Sequence, residues 1–247
     1  MFASIKKHLS WVDWTPSDME ADCGVVYHLR DLNADLVNEW EVMFEPYAAT
    51  VKPSVGDVFL DAPAADAIVC PANSFGFMGN GSVDAALLSH FGESLQEQVL
   101  EEIQEKHHGE LLVGQAMIVS DIHCVQPDRE RYNQGAPIQH VIMAPTMRVP
   151  VDVSYTPNAY LAFRAAILAI RNHNENSADQ IESVIVPGLA TWGGLMPTRR
   201  CAYQMLQAYE SFVLGKSKFR SSPHNKSEMI DDHFHMCQVS RPGIFQP

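Results

Sequence analysis

Two predicted strands of this chain are each followed by a glycine-rich loop and then by a helical pattern. The first, residues 66–70, is a continuous apolar run after Asp66, and the second, residues 181–186, is rich in β-branched residues. A continuous apolar run is typical of a strand that is buried on both faces, as parallel strands covered by helices are. The chain is therefore predicted to fold around a mostly parallel sheet with helices on both sides.

Strand-like and helix-like segments alternate along the rest of the chain. Asn33 is expected to cap the first helix, whose apolar residues recur at helical spacing. Further strands are predicted at residues 25–29, 49–51, 111–120 and 140–144, and further helices at 83–91, 93–108, 156–173 and 197–214. This order predicts an α/β fold, a three-layer α/β/α sandwich with a mixed, mostly parallel central sheet.

The length of 247 residues fits one large domain with two short extensions. Residues 1–24 are expected to form an irregular lead-in, residues 25–214 the domain, and residues 215–247 a polar C-terminal extension. Five scattered cysteines without CxxC spacing predict reduced thiols and a cytoplasmic protein. No apolar segment is long enough for a signal sequence or a membrane span, so no membrane association is expected.

The charge balance argues against one class of partner. Seventeen basic and thirty acidic residues give a net charge of −13. A protein that binds nucleic acid or an anionic membrane surface usually carries a basic excess. Neither partner is therefore expected.

The two glycine-rich loops are the best candidates for a ligand site. They cover residues 73–84 and 187–197, and both follow a predicted parallel strand and precede a helix. Ligands of open α/β sheets bind at the carboxyl ends of strands, and glycines and helix N-termini favour anions there. Neither loop matches the P-loop or the GxGxxG pattern. The pair is expected to hold a diphosphate from two sides; the alternative is that the glycines serve only tight turns.

Four segments resemble the macrodomains, a family that binds ADP-ribose. They are Gly-Asp-Val-Phe at 56–59, Asp-Ala-Ile-Val-Cys-Pro-Ala-Asn at 66–73, Gly-Asn-Gly-Ser-Val-Asp at 79–84, and the loop at 187–194. The resemblance covers about residues 25–214 and is nearest an uncharacterised bacterial and phage group. It implies ADP-ribose or a related nucleotide as ligand, ADP-ribosylated protein as a further partner, and no cofactor.

The resemblance also implies roles for individual residues. Asp57, with the Val58 backbone beside it, would accept a hydrogen bond from the adenine amino group; the alternative is a turn cap. Asn73 would bind the distal ribose; the alternative is an Asx turn. The other ligand-binding residues that the resemblance implies are Ser74, Gly79, Asn80, Gly81, Ser82 and Val83 in the first loop and Leu189, Ala190, Thr191, Trp192, Gly193 and Gly194 in the second.

Catalysis is expected from Asn73 and Asp84, with Asp84 placing or activating a water at the anomeric carbon. The alternative for Asp84 is charge complementation at a helix N-terminus. Trp192 either covers the ribose or packs in the core. Cys70 and Pro71 depart from the family's Asn-Ala, and Cys70 is expected to be a small buried apolar residue.

Three functions are compatible with this pattern. The first is a hydrolase of mono-ADP-ribosyl esters or glycosides, or of a small ADP-ribose derivative in NAD metabolism. The second is a non-catalytic module that senses or sequesters the nucleotide, and the third is an interaction protein with an inactive cleft. No metal site is predicted: the histidines, acids and Cys237 of segment 231–237 are interpreted as a solvated tail.

Overall fold

The computed structural model describes residues 24–79, 82–215 and 225–238. The strands are β1 (Val26–Asp31), β2 (Ser54–Val55), β3 (Ala67–Cys70), β4 (Met117–Val119), β5 (His140–Met143) and β6 (Ser183–Val186). The helices are α1 (Ala34–Phe44), α2 (Ser82–Phe91), α3 (Glu93–Lys106), α4 (Asn158–Asn176), α5 (Thr198–Phe212) and α6 (Lys226–Gln238). Short 3-10 turns occur at Glu45–Tyr47, Arg129–Arg131 and Asn133–Gly135.

The strands form one sheet in the order β2-β1-β6-β3-β5-β4. All neighbours are parallel except β4, which runs antiparallel to β5. Every residue of β3 and β5 is buried, as the continuous apolar pattern predicts. One apolar core joins the sheet to α1, α4 and α5, and a second joins it to α2 and α3. The predicted three-layer sandwich with a mixed, mostly parallel sheet is confirmed.

Local signals place several helix ends where the sequence predicts them. Asn33 caps α1, since its Oδ1 accepts hydrogen bonds from the Asp35 and Leu36 amides at 3.0 and 3.4 Å. Gly92 separates α2 from α3 with a φ of 82°, a conformation that glycine adopts without strain. These two residues therefore set the start of α1 and the boundary between α2 and α3.

Two predicted strands are wrong in extent. Residues 49–50 continue a turn, because the Tyr47 carbonyl accepts from both the Thr50 and Val51 amides, and only Val51 bridges to β1. The pairing strand there is β2, further along the chain. Within residues 111–120 only β4 is a strand, because Gly114 has a φ of 94° and interrupts the extended pattern.

The described part of the C-terminal extension is a helix that packs on the domain. Met236 and Cys237 of α6 are buried, and the side-chain amide of Gln204 in α5 donates to the Met236 carbonyl at 3.0 Å. Residues 1–23, 216–224 and 239–247 of the predicted extensions lie outside the described residues, and the domain boundaries stay predictions. None of the described helices has the length and apolarity needed to cross a membrane.

Candidate functional site

A cavity of about 110 Å³ lies at the carboxyl ends of β3 and β6, between the two glycine-rich loops. It brings together most of the predicted loop residues that the structure describes. The lining comprises Pro71, Ala72, Asn73, Phe77, Val83, Asp84, Thr146, Met147, Pro150, Gly188, Ala190, Thr191, Trp192 and Gly193. The loops therefore meet across one site, as their positions in the sequence predict.

A second pocket of about 30 Å³ lies beside the first, around Asp57 and Val58. Val83 and Trp192 line both pockets, so the two form adjoining parts of one groove. Trp192 is 55% exposed and Phe77 is 60% exposed, which places both rings at the mouth of the groove rather than in the core. One end of the groove contains Asp57, and the other end contains Asp84 and residues of both glycine-rich loops.

Four predicted residues do not line the groove. Leu189 is fully buried in the apolar core, and Ser74 is buried with its backbone bonded to Met147 and Leu111. Gly79 and Gly194 are also outside both pockets. Asn80 and Gly81 lie outside the described residues, and Ser82 begins α2.

Asp57 combines a structural contact with a free acceptor. Its Oδ1 accepts hydrogen bonds from the Phe59 and Leu60 amides, both at 2.8 Å, so the turn cap is present. Within the described parts of the chain, its Oδ2 forms no hydrogen bond. A carboxylate has acceptor capacity for both tasks. Capping the turn thus leaves one oxygen available to a ligand.

Arg30, which the sequence analysis missed, fixes the backbone on which Asp57 lies. Its guanidinium donates to the Asp57 carbonyl at 2.6 Å, the Ser54 hydroxyl at 3.0 Å and the Asp61 carbonyl at 3.1 Å. Arg30 is 8% exposed, and burial lowers its pKa while the carboxylates of Asp57 and Asp61 oppose that shift. The signal in the sequence is the basic Arg30 directly before the acidic Asp31 at the end of a predicted strand.

His90, which the sequence analysis also missed, packs against Phe59 in the same loop as Asp57. Its ring stacks on Phe59 with centroids 4.0 Å apart and an interplanar angle of 3°. Burial lowers the pKa of His90 to about 4, so the imidazole is neutral near pH 7 and stacks as an uncharged ring. The Asp57 turn is thereby held by packing as well as by hydrogen bonds.

Asn73 uses both ends of its amide within the first loop. Its Oδ1 accepts from the Phe75 amide at 3.1 Å and its Nδ2 donates to the Phe77 carbonyl at 2.7 Å. The Asx turn, which was the alternative role expected for Asn73, is therefore present. Asn73 also lines the cavity, so its contact with a ribose stays a prediction.

Asp84 lies in the first turn of α2 and lines the same cavity as Asn73. Its Oδ1 accepts from the Ala85 amide at 2.9 Å. The neighbouring Cys70 is fully buried, and burial, with a smaller contribution from the Asp84 charge, strongly raises the pKa of its thiol. Cys70 is therefore an uncharged, apolar residue at neutral pH.

The second loop is held at its start by Asp31, a further residue that the sequence analysis missed. The Gly188 amide donates to Asp31 Oδ2 at 3.0 Å, and the Asn33 amide donates to Asp31 Oδ1 at 2.9 Å. The Thr191 hydroxyl is buried and has no hydrogen-bond partner among the described residues. An unpartnered buried hydroxyl is costly, and Thr191 is one of the residues that line the cavity.

The sequence profile of the Macro-like domain family matches residues 49–216. The chain belongs to this family. Among solved structures, it is similar to a glycine-to-valine variant of the Oceanobacillus iheyensis macrodomain with ADPR. That match has 21% identity and a TM-score of 0.48, and it covers 64% of this chain and 75% of the other. It is also similar to the macrodomain of Mycobacterium tuberculosis DarG, with 20% identity, a TM-score of 0.47 and coverage of 65% and 90%.

Gly188 of this macrodomain has no room for a side chain. A Cβ there would lie 2.6 Å from Leu36 Cδ2 and Thr191 Oγ1 and 2.8 Å from Asp31 Oδ2. We expect Gly188→Ala to lower the free energy of unfolding by about 1–3 kcal/mol, the usual cost of overpacking. The matched control is Gly193→Ala, whose Cβ would meet only Met147 Cε at 4.0 Å. Chemical denaturation measures both; equal stability of the two variants would contradict the packing argument.

Proposed function

We propose that this macrodomain binds ADP-ribose or a closely related NAD-derived nucleotide along the groove. The observation that carries the proposal is the pairing of two pockets, with a free carboxylate oxygen of Asp57 at one end and the glycine-rich loops at the other. The adenine amino group would donate to Asp57 Oδ2. The diphosphate and distal ribose would lie between Val83 and the loop that contains Thr191.

An acidic protein must bind a diphosphate largely without cations. The loop at residues 187–197 has no acidic residue, and the first turn of α2 adds amide groups at the positive end of a helix dipole. Both pockets are smaller than the roughly 300–1,000 Å³ of typical ligand sites. The ligand is therefore expected to lie in an open groove, with the exposed rings of Phe77 and Trp192 beside it.

Hydrolysis is the second candidate function, because Asn73 and Asp84 line one cavity. A water held by Asp84 would bond to the anomeric carbon of the distal ribose while the bond to the ester or glycoside atom breaks. Asp84 would take one proton from the water and pass it to the departing atom, so the products are ADP-ribose and the protonated leaving group, and Asp84 is again a carboxylate. The alternative is a non-catalytic module that uses the same groove to sense or sequester the nucleotide.

We further propose that the protein acts in the cytoplasm and in NAD metabolism, and that ADP-ribosylated proteins are further partners. Scattered cysteines without CxxC spacing support a reducing compartment. The NAD-derived ligand and the modified proteins follow from the nucleotide that the groove is proposed to hold.

Isothermal titration calorimetry with ADP-ribose tests the binding proposal. We expect one nucleotide per chain, weaker binding of ADP, and no binding of ribose 5-phosphate at the same concentrations, since each shorter ligand fills only part of the groove. The absence of heat and of a thermal shift at millimolar ADP-ribose would overturn the proposal.

A further inference from the structure

Three side chains that commonly bind metals meet at the amino ends of the strands, on the opposite side of the sheet's length from the groove. His140 begins β5, His173 lies in the last turn of α4, and Asp179 lies in the loop before β6. One ligand atom from each lies within 4.8 Å of the other two. Because β3, β5 and β6 are parallel and the groove lies at their carboxyl ends, this cluster at the amino ends is separate from the groove.

His140 is oriented as a metal ligand is. It is 3% exposed, and its Nδ1 is 2.9 Å from the Ser120 hydroxyl oxygen. Its Nε2 is buried and has no hydrogen-bond partner in the described part of the chain, although Asp179 Oδ2 lies 3.2 Å away. A histidine that binds a metal with one nitrogen usually donates a hydrogen bond from the other. The contact with Ser120 meets that requirement.

His173 and Asp179 complete the cluster from the solvent side. His173 Nε2 donates a hydrogen bond to the Asp179 carbonyl oxygen at 2.7 Å, so Nδ1 is the ring nitrogen outside this bond. The Asp179 side chain is 60% exposed, which gives an ion a path from water.

We propose that His140, His173 and Asp179 bind a zinc ion. Two imidazoles and one carboxylate are ligands that zinc accepts, and a water would take the fourth position. Zinc bonds of about 2.0–2.1 Å in a tetrahedron place ligand atoms about 3.3 Å apart. The 3.2 Å separation of His140 Nε2 and Asp179 Oδ2 matches that value. The ion would join the end of α4 to the starts of β5 and β6.

Titration of the metal-free full chain with zinc alone tests this site. We expect one zinc per chain, a rise in the melting temperature that a chelator reverses, and visible absorption bands of tetrahedral cobalt when Co²⁺ replaces zinc. Asp179→Asn and His173→Gln remove ligands outside the core and should leave the metal-free fold unchanged. Each is expected to weaken zinc binding by about 10–100-fold or more. A loss of that size is typical when a residue that only hydrogen-bonds to a metal ligand is changed, and these variants remove a ligand itself.

His233→Gln is the matched control, because His233 Nε2 and Cys237 Sγ in α6 are 3.8 Å apart and are another pair of side chains of the kind that zinc binds. This variant should keep wild-type zinc affinity. Three results would overturn the proposal: no zinc binding by the wild type, unchanged binding by both cluster variants, or loss of binding only in His233→Gln. ADP-ribose affinity, measured in the same samples, should not change with zinc, so this site and the groove are tested independently.

Discussion

Asp57→Asn is expected to reverse the base preference of the groove. In the proposed complex the carboxylate would accept a hydrogen bond from the adenine amino group, whereas an amide nitrogen in the same place would face that group as a second donor. We expect the affinity for ADP-ribose to fall by about 10–100-fold, which is about 1.4–2.8 kcal/mol and in the range of a hydrogen bond to a charged group. Inosine diphosphate ribose presents a carbonyl instead and should bind the variant better than ADP-ribose does.

The asparagine variant is informative because it preserves the turn. Its Oδ1 can still accept from the Phe59 and Leu60 amides, as Asp57 does now. Its melting temperature should therefore fall less than that of Asp57→Ala, which loses the cap as well as the charge beside Arg30. Calorimetry with both nucleotides measures the reversal. Unchanged preference for ADP-ribose in Asp57→Asn would contradict the assignment of Asp57 to the adenine.

Asp84→Asn is expected to remove turnover while binding persists. The amide keeps an acceptor for the Ala85 amide but cannot take a proton from water. General-base catalysis typically contributes 10²–10⁴-fold, so we expect a decrease of about that size in ADP-ribose release from a mono-ADP-ribosylated protein. The dissociation constant for ADP-ribose should change by no more than a few-fold.

Asp35→Asn provides the matched control for charge at a helix start, since Asp35 lies in the first turn of α1. It should leave turnover unchanged. Wild-type turnover in Asp84→Asn would exclude Asp84 as the base. If the wild type binds ADP-ribose but releases none from any modified protein, the non-catalytic module is the correct alternative.

The order of elements could be predicted because strong local signals mark it. The buried strand β3 has a continuous apolar sequence and β5 is apolar after His140, while the Asn33 side chain and the Gly92 backbone mark helix ends. The edges of the sheet were less predictable. β2 has two residues and β4 has three, so too few positions carry the pattern, and turns decide where pairing begins.

The site was predicted where its residues lie close together in sequence. Motifs pointed to Asp57, Asn73 and Asp84, but the contacts that hold them come from distant parts of the chain. Arg30 reaches Asp57 across 27 residues, and Asp31 binds the Gly188 amide across 157 residues. Such pairs become visible only when β1 is placed beside β2 and β6. Asn73 shows a different limit of motifs. Its side-chain amide already forms hydrogen bonds within its own loop, although the motif assigns the same amide to a ligand.

The shared wall formed by Val83 and Trp192 divides the groove into two half-sites in series. Each half-site can be filled by a fragment, and the second contact of a linked ligand is then an intramolecular event with a high effective concentration. Affinity for the proposed nucleotide would therefore depend on how the part of the ligand between its two ends fits beside Val83 and Trp192. A molecule with the correct ends and a linker of the wrong length gains nothing from its second end.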